Sequence, residues 1–401
     1  MKKKNIIKHT FIILSLFVFS CMHRENEKVQ ENHEVIDFSL EHLDKLHWDE
    51  FITAYTIIPL ETTEKSFISR IERVIFRNNK LYILNTDGLR SNILVFTKEG
   101  KYLRKIDKQG RGNGEYLFIS DFDLYPDSNV VTILDPLKRT LLNYDIITTQ
   151  YQNSFHFEFW AKEFKYIKDI KEKVAIVLAT EMSRNNGKDY DIYVIDADRN
   201  NILRSAFPFD KPIGIMFGNG ILMQSFGNYV NYLRPNTNLI YSIDYDSIYL
   251  RYKILFPGKV LPSEKTEEFF RKKLESDEKY VYNIIYFENR DYLYTRFRYD
   301  KKSYHGFFNK KTKESYLFGS IKDMTCNCGI TLDMCGTLPH HFIVKTDFLK
   351  VGNVVKFFDP NNKKCQNPEI WNEVHKLDET SNPLLILLTV ENTENGRYNG
   401  F

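Results

Sequence analysis

The sequence predicts an all-β protein folded as a single six-bladed propeller, and three observations predict it. Beyond about residue 55 the chain is rich in Tyr, Phe, Ile and Val and short of Ala, a composition that favours strands over helices. Its apolar runs alternate, break at turn signals and fall into sets of three with a hairpin near the end of each set. The sets recur at roughly 50 residues, the spacing of propeller blades. Two packed β-sandwiches would need a linker near the middle, and the sequence has none.

The first set is 80–84 (KLYIL), 92–96 (NILVF) and 101–106 (KYLRKI), with Thr97-Lys98-Glu99-Gly100 as its hairpin turn. The second is 130–134, 140–144 and 151–157; the third 174–180, 190–195 and 201–207. The fourth comprises 220–224, 238–243 and 248–256, and the fifth 291–297, 303–308 and 314–318. The last residues of the middle runs, Phe96, Tyr144, Ile195, Ile243 and Phe308, are 48, 51, 48 and 65 residues apart. The long last step has a cause. Residues 262–279 (PSEKTEEFFRKKLESDEK) open with Pro and Ser, hold helix formers and show no strand pattern, so a short helix is expected between blades 4 and 5. The sixth blade is expected from 353–358 (NVVKFF) and 383–390 (PLLILLTV), with 54–60 (AYTIIPL) pairing onto it to close the ring and remove an exposed edge.

The N-terminus reads as an address. Residues 1–8 are basic and 11–19 (FIILSLFVF) are apolar; nine residues at 1.5 Å rise fall far short of a hydrocarbon core of about 30 Å, so the segment fits an export signal. Ser20-Cys21 follows it and resembles the lipobox of bacterial lipoproteins, in which the cysteine is lipidated; Phe19 is bulkier than the usual residue there. The expected organisation is a signal peptide over 1–20, a charged tether over 21–34 and the propeller over 35–401. Lipidation at Cys21 would hold a body in the cell envelope, expected at the outer membrane with the propeller facing periplasm or surface. The charge agrees with this division. The chain carries 56 Lys and Arg against 53 Asp and Glu, but Lys2, Lys3, Lys4 and Lys8 all lie in the signal, leaving 52 against 53. A near-neutral body argues against a nucleic-acid partner, and the 42% hydrophobic content argues against disorder.

Ile58-Pro59-Leu60-Glu61-Thr62, the run 110–116 (GRGNGEY) before Asp121-Phe122-Asp123, and Asn382-Pro383-Leu384-Leu385-Ile386 together resemble the six-bladed β-propeller lipoproteins of gut bacteria, related in fold to NHL-repeat and TolB-type propellers. The resemblance spans about 35–390 and implies fold and location. It brings no catalytic residue.

The remaining motifs carry little chemistry. The GRGNGEY run leads from strand to strand and lacks the third glycine of a dinucleotide fingerprint, so it reads as a blade-to-blade connection needing positive φ. Asp145, Asp196 and Asp244 recur at one register, as turn residues bonding their own backbone and too far apart to share an ion. Four cysteines besides Cys21 remain, Cys326, Cys328, Cys335 and Cys365, candidates for disulfides, for free thiols or, with His340-His341 nearby, for a metal; the spacing fits no standard zinc site. No GxSxG is present, and Ser225-Phe226-Gly227 lies in a strand context. Most aromatic side chains should fill the wedges between blades, while loops at 217–232 and 322–341 are candidates for stacking on a ligand. The expected function is therefore a binding or scaffold protein holding a peptide, glycan or protein partner on one propeller face, without cofactor, metal or catalytic residues. The alternative is a metal-dependent hydrolase or lyase with an axial site.

Overall fold

A computed structural model describes residues 33–46, 48–180, 190–199, 201–208, 221–271, 279–319, 333–346, 361, 363, 365–378 and 380–390. Six antiparallel sheets of four strands form the blades of a propeller, each running from an innermost to an outermost strand. Blade 1 is β3 (Ile71–Arg77), β4 (Lys80–Thr86), β5 (Ser91–Thr97) and β6 (Tyr102–Ile106). Blade 2 is β7 (Asp121–Leu124), β8 (Val130–Asp135), β9 (Thr140–Asp145) and β10 (Tyr151–His156). Blade 3 is β11 (Glu163–Lys168), β12 (Val174–Ala179), β13 (Tyr190–Asp196) and β14 (Ile202–Pro208). Blade 4 is β15 (Met223–Phe226), β16 (Tyr229–Leu233), β17 (Leu239–Ile243) and β18 (Ile248–Leu255). Blade 5 is β19 (Tyr282–Glu288), β20 (Tyr292–Tyr299), β21 (Lys302–Asn309) and β22 (Ser315–Phe318).

Blade 6 closes the ring as expected. Its inner strands are β23 (Asp333–Leu338), β24 (His341–Lys345) and β25 (Leu384–Val390), and β2 (Ile52–Pro59) from the N-terminus is its outermost strand, paired antiparallel with β25 from Ile52–Val390 to Pro59–Leu384. The expected strand at 353–358 lies outside the described residues. The expected helix between blades 4 and 5 is present as a 3₁₀ turn over Ser263–Lys265 running into Thr266–Arg271.

Three differences from the sequence expectation have physical causes. Each blade has four strands where the periodic pattern showed three; in blades 1, 2, 3 and 5 the missing one is the innermost, and in the first three its charged residues interrupt an apolar run. In blade 4 the run at 220–224 reaches the inner strand only at 223 and 224, and a second strand, Tyr229–Leu233, follows it; Gly227-Asn228 turns the chain so tightly, with Gly227 at φ +60, that two short strands read as one loop. In blade 6 the Cys/Gly/Thr-rich stretch expected to be loop is in part β23. Gly336 lets it approach blade 1, since a Cβ there would stand 2.5 Å from the Val74 carbonyl oxygen.

The apolar residues form six clusters, one in each interface between neighbouring blades. Tyr144, Tyr232, Tyr286, Tyr294, Phe96, Phe122 and Phe297 are among the largest fully buried side chains, so the aromatic excess does fill the wedges. Residues 34–60 form a belt outside three blades. Strand β1 (Glu34–Asp37) adds to the outer edge of blade 4, parallel to β18. Phe38 packs on blade 5 where Gly306 leaves room, a Cβ there falling 2.8 Å from its ring. The Asp44 amide donates to the Leu317 carbonyl on the edge of blade 5, and Phe51 is buried against Phe307, Phe318 and Tyr292.

Candidate functional site

In each blade the first strand begins on one face of the ring, here the entry face, which also carries the blade-to-blade connections and the links between second and third strands. The first and third strands end on the opposite, exit face. Inner strands have one edge without a ladder partner, and side chains from the neighbouring blade satisfy its N–H groups. Asp121 Oδ2 accepts from the Phe164 amide at 3.0 Å, and Asp123 Oδ2 from the Tyr166 amide at 3.0 Å. Glu163 accepts from the Leu222 and Met223 amides at 2.9 and 3.1 Å. Asp121 and Asp123, which open the inner strand of blade 2, therefore clamp it to blade 3, and Glu163 clamps blade 3 to blade 4.

The same carboxylates bind cations. The Arg73 guanidinium joins Asp121 and reaches Glu163 Oε2 at 3.1 Å, and Lys165 Nζ lies 3.0 Å from Asp121 Oδ2. All five charged side chains are buried. Burial opposes the charge on Arg73, but Asp121 and Glu163 outweigh it and hold its pKa above the ordinary arginine value. A second buried carboxylate, Glu288, ties blade 5 to blade 4. It accepts from Asn231 Nδ2 at 2.5 Å, Lys310 Nζ at 2.8 Å, Tyr252 Oη at 3.3 Å and the Tyr286 hydroxyl.

An axial cavity of about 220 Å³ is lined by residues from the inner strands of all six blades, among them Arg73, Arg77, Asp123, Lys165, Gln224, Ser225 and Thr337. Its lining carboxylate, Asp123, is engaged by the Leu124 and Tyr166 amides, and among the described residues no group of three His, Cys, Asp or Glu side chains is arranged to hold a metal ion. The metal-dependent hydrolase or lyase therefore finds no support in the geometry.

The other motifs fall where their chemistry puts them. Asp145 Oδ1 accepts from the Ile147 and Thr148 amides, Asp196 Oδ1 from Asp198 and Arg199, and Asp244 Oδ1 from Asp246 and Ser247. Thr97 and Asn309 occupy the same register in blades 1 and 5, Thr97 Oγ1 accepting from the Glu99 and Lys101 amides and Asn309 Oδ1 from the Lys311 and Thr312 amides. These turn residues directly follow the five residues that set the sequence period. The GRGNGEY run links blades 1 and 2. Gly114 has φ +70, a Cβ there would stand 2.5 Å from the Tyr151 ring, and its carbonyl accepts from Tyr144 Oη at 2.8 Å. Gly114→Ala should cost about 2 kcal/mol, while Gly227→Ala, with φ +60 but open space around it, should cost about 1; urea denaturation of the two variants checks the order.

Cys335 and Cys365 are buried free thiols, in the blade 6/blade 1 and blade 5/blade 6 cores respectively. Burial pushes the Cys335 thiol up to about 12, and its Sγ faces the Ile343 carbonyl at 3.5 Å. Cys326 and Cys328 lie outside the described residues, as does the lipidation candidate Cys21. His340 pairs with Asp291 at 2.7 Å, while His341 turns to Thr389 Oγ1 at 3.0 Å, so the adjacent histidines diverge. The aromatic loop expected at 217–232 is, from residue 223, a strand hairpin whose rings meet the protein's own cations. Arg251 lies 4.7 Å from the centre of the Tyr229 ring and Lys310 4.1 Å from that of Phe226.

Residues 33–389 match the profile of a family described as a domain of unknown function, DUF4934. Among solved structures, a Bacteroides fragilis protein described as exported is similar at a TM-score of 0.75 and 18% identity, over 89% of this chain and 100% of that one. A member of the DUF4221 family from Bacteroides vulgatus is similar at a TM-score of 0.53 and 11% identity, over 85% of this chain and 97% of that one. At such identities the likeness is one of fold. No curated protein matches in sequence. By the extent of the family match, and with the six-bladed ring it covers, this chain belongs to the DUF4934 family.

Proposed function

We propose that the chain is a lipid-anchored extracytoplasmic binding protein that holds a peptide, glycan or protein partner on its entry face. One observation carries the reading. Leu89 and Leu137 stand at loop tips of blades 1 and 2, 84% and 65% exposed, and both loops are fastened to the glycine connection between them. Gln109 Nε2 donates to the Leu89 carbonyl at 2.9 Å, and Lys138 Nζ donates to the Glu115 carbonyl at 2.5 Å. Two large apolar tips on a braced loop platform suit a partner surface better than solvent. The basic-apolar N-terminus ending in Ser20-Cys21 supports the anchor, and the export attributed to the Bacteroides fragilis protein agrees with the compartment.

Two measurements test this. Cys21→Ala should move the protein out of the membrane fraction; retention there would sink the anchor. Crosslinking in intact envelopes should trap a partner with the wild-type chain and lose it with Leu89→Asp/Leu137→Asp. A partner trapped equally by both chains, or by neither, would sink the entry-face site.

A further inference from the structure

The axial cavity offers a ligand site separate from the entry-face loops. Toward the exit face its wall holds Arg77, the last residue of β3, with Gln224 and Ser225 of β15 and Thr337 of β23. Blades 1 and 4 are opposite each other in a ring of six, so Arg77 and the Gln224–Ser225 pair line opposite sides of the cavity. Elsewhere on the inner strands, charged side chains have partners. Arg77 is less fully engaged: its Nη1 donates to the Leu124 carbonyl at 2.8 Å, and its charge acts on Asp127, but among the described residues no carboxylate lies in ion-pair range. The side chains of Gln224, Ser225 and Thr337 bond no protein group among the described residues. The cavity is far larger than the ~15 Å³ that admits one water.

The chemistry of this wall selects a ligand class. A guanidinium with open N–H groups suits a carboxylate, which it can meet with two parallel hydrogen bonds. One amide and two hydroxyls, each able to donate and accept, suit a ring of hydroxyl groups. Asp123, which takes one amide on each oxygen, keeps lone pairs to accept another hydroxyl. Ile75, Phe76 and Met223 supply an apolar wall for C–H groups. We propose that the axial cavity binds a monosaccharide-sized hydroxylated carboxylate, a sugar acid, with Arg77 on the carboxylate and Gln224, Ser225 and Thr337 on the hydroxyls.

Calorimetric titration of the full-length chain in detergent with glucuronate, galacturonate, glucose and acetate tests this. At least one uronate should bind saturably, and at least tenfold more tightly than glucose or acetate. Arg77→Gln should weaken that binding tenfold or more while the melting temperature stays within a few degrees of wild type, and Ser225→Ala/Thr337→Val should weaken it with acetate binding unchanged. If Arg77→Gln fails to fold, the double variant decides alone. Absence of uronate binding, equal binding of glucose, or full affinity in a folded Arg77→Gln or double variant would overturn the site. Leu89→Asp/Leu137→Asp should leave uronate affinity intact, so failure of the entry-face reading stays distinguishable.

Discussion

Replacing Arg73 with Met should lower the unfolding free energy by about 3–5 kcal/mol, the usual effect of removing one partner from a buried ion pair. The size follows from what is left behind. Asp121 and Glu163 are buried, and without the guanidinium two carboxylates are left close together with Lys165 as their one remaining cation. The damage should spread along the ring, because these carboxylates also hold the inner-strand amides of blades 3 and 4. The quadruple variant Arg73→Met/Asp121→Asn/Glu163→Gln/Lys165→Met should be less destabilised than Arg73→Met alone, since no unpaired charge is then buried and each carboxamide oxygen can still accept an N–H group of the neighbouring blade. Urea denaturation checks both. A loss below about 1 kcal/mol for Arg73→Met, or a quadruple variant weaker than the single, would mean that the charges contribute little beyond their hydrogen bonds.

Acidification from pH 6.5 to 4.5 should destabilise the protein through its buried histidines. Burial first, then the nearby Arg296, pushes His305 down to about 3; burial, with the neighbouring His340, takes His341 to about 4. Both are neutral when folded and bind a proton near pH 6.5 when unfolded, so stability is full above 6.5 and falls as the pH drops toward the folded values. For His305 the loss at pH 4.5 is about 3 kcal/mol; His341, partly open to solvent, contributes less. Asp191 works against them. Burial outweighs its pairing with Arg234 at 2.9 Å and raises it to about 6, so the folded state takes up a proton between roughly pH 6 and 4 that the unfolded chain does not, and this group gains stability as the pH falls. The melting temperature should therefore drop on acidification in the wild type, drop less in His305→Gln, and drop more steeply in Asp191→Asn. Parallel pH profiles for wild type and His305→Gln would show that this histidine is not the source.

The parts of the fold legible in the sequence are those repeated by local chemistry. In blades 1 to 5 the third strand ends at or just before a turn residue, Thr97, Asp145, Asp196, Asp244 or Asn309, whose side chain holds the amides that follow, so the period survives although the blades differ elsewhere. Closure by β2 was legible because a strand without neighbours had one edge left to take. The inner strands were not, because Arg73, Asp121, Glu163 and Lys165 look like surface charges until a second blade supplies the counter-charge. The axial cavity is harder still. Arg77, Ser225 and Thr337 come from three blades, and nothing local to any of them signals that closing the ring brings them together.

The belt over residues 34–60 has a mechanical consequence. Any pull arriving through the residues before Glu34 loads first the four-residue ladder between β1 and β18, then the Asp44–Leu317 contact on blade 5, and only then the strand that shuts the ring. The first two links are short and lie on the outer edges of blades 4 and 5, so they can tear, drawing Ile36 and Phe38 out of the core between those blades, while β2 stays paired with β25. A ring held by its N-terminus thus carries a strain relief, in which an outer seam gives way before the clasp is tested.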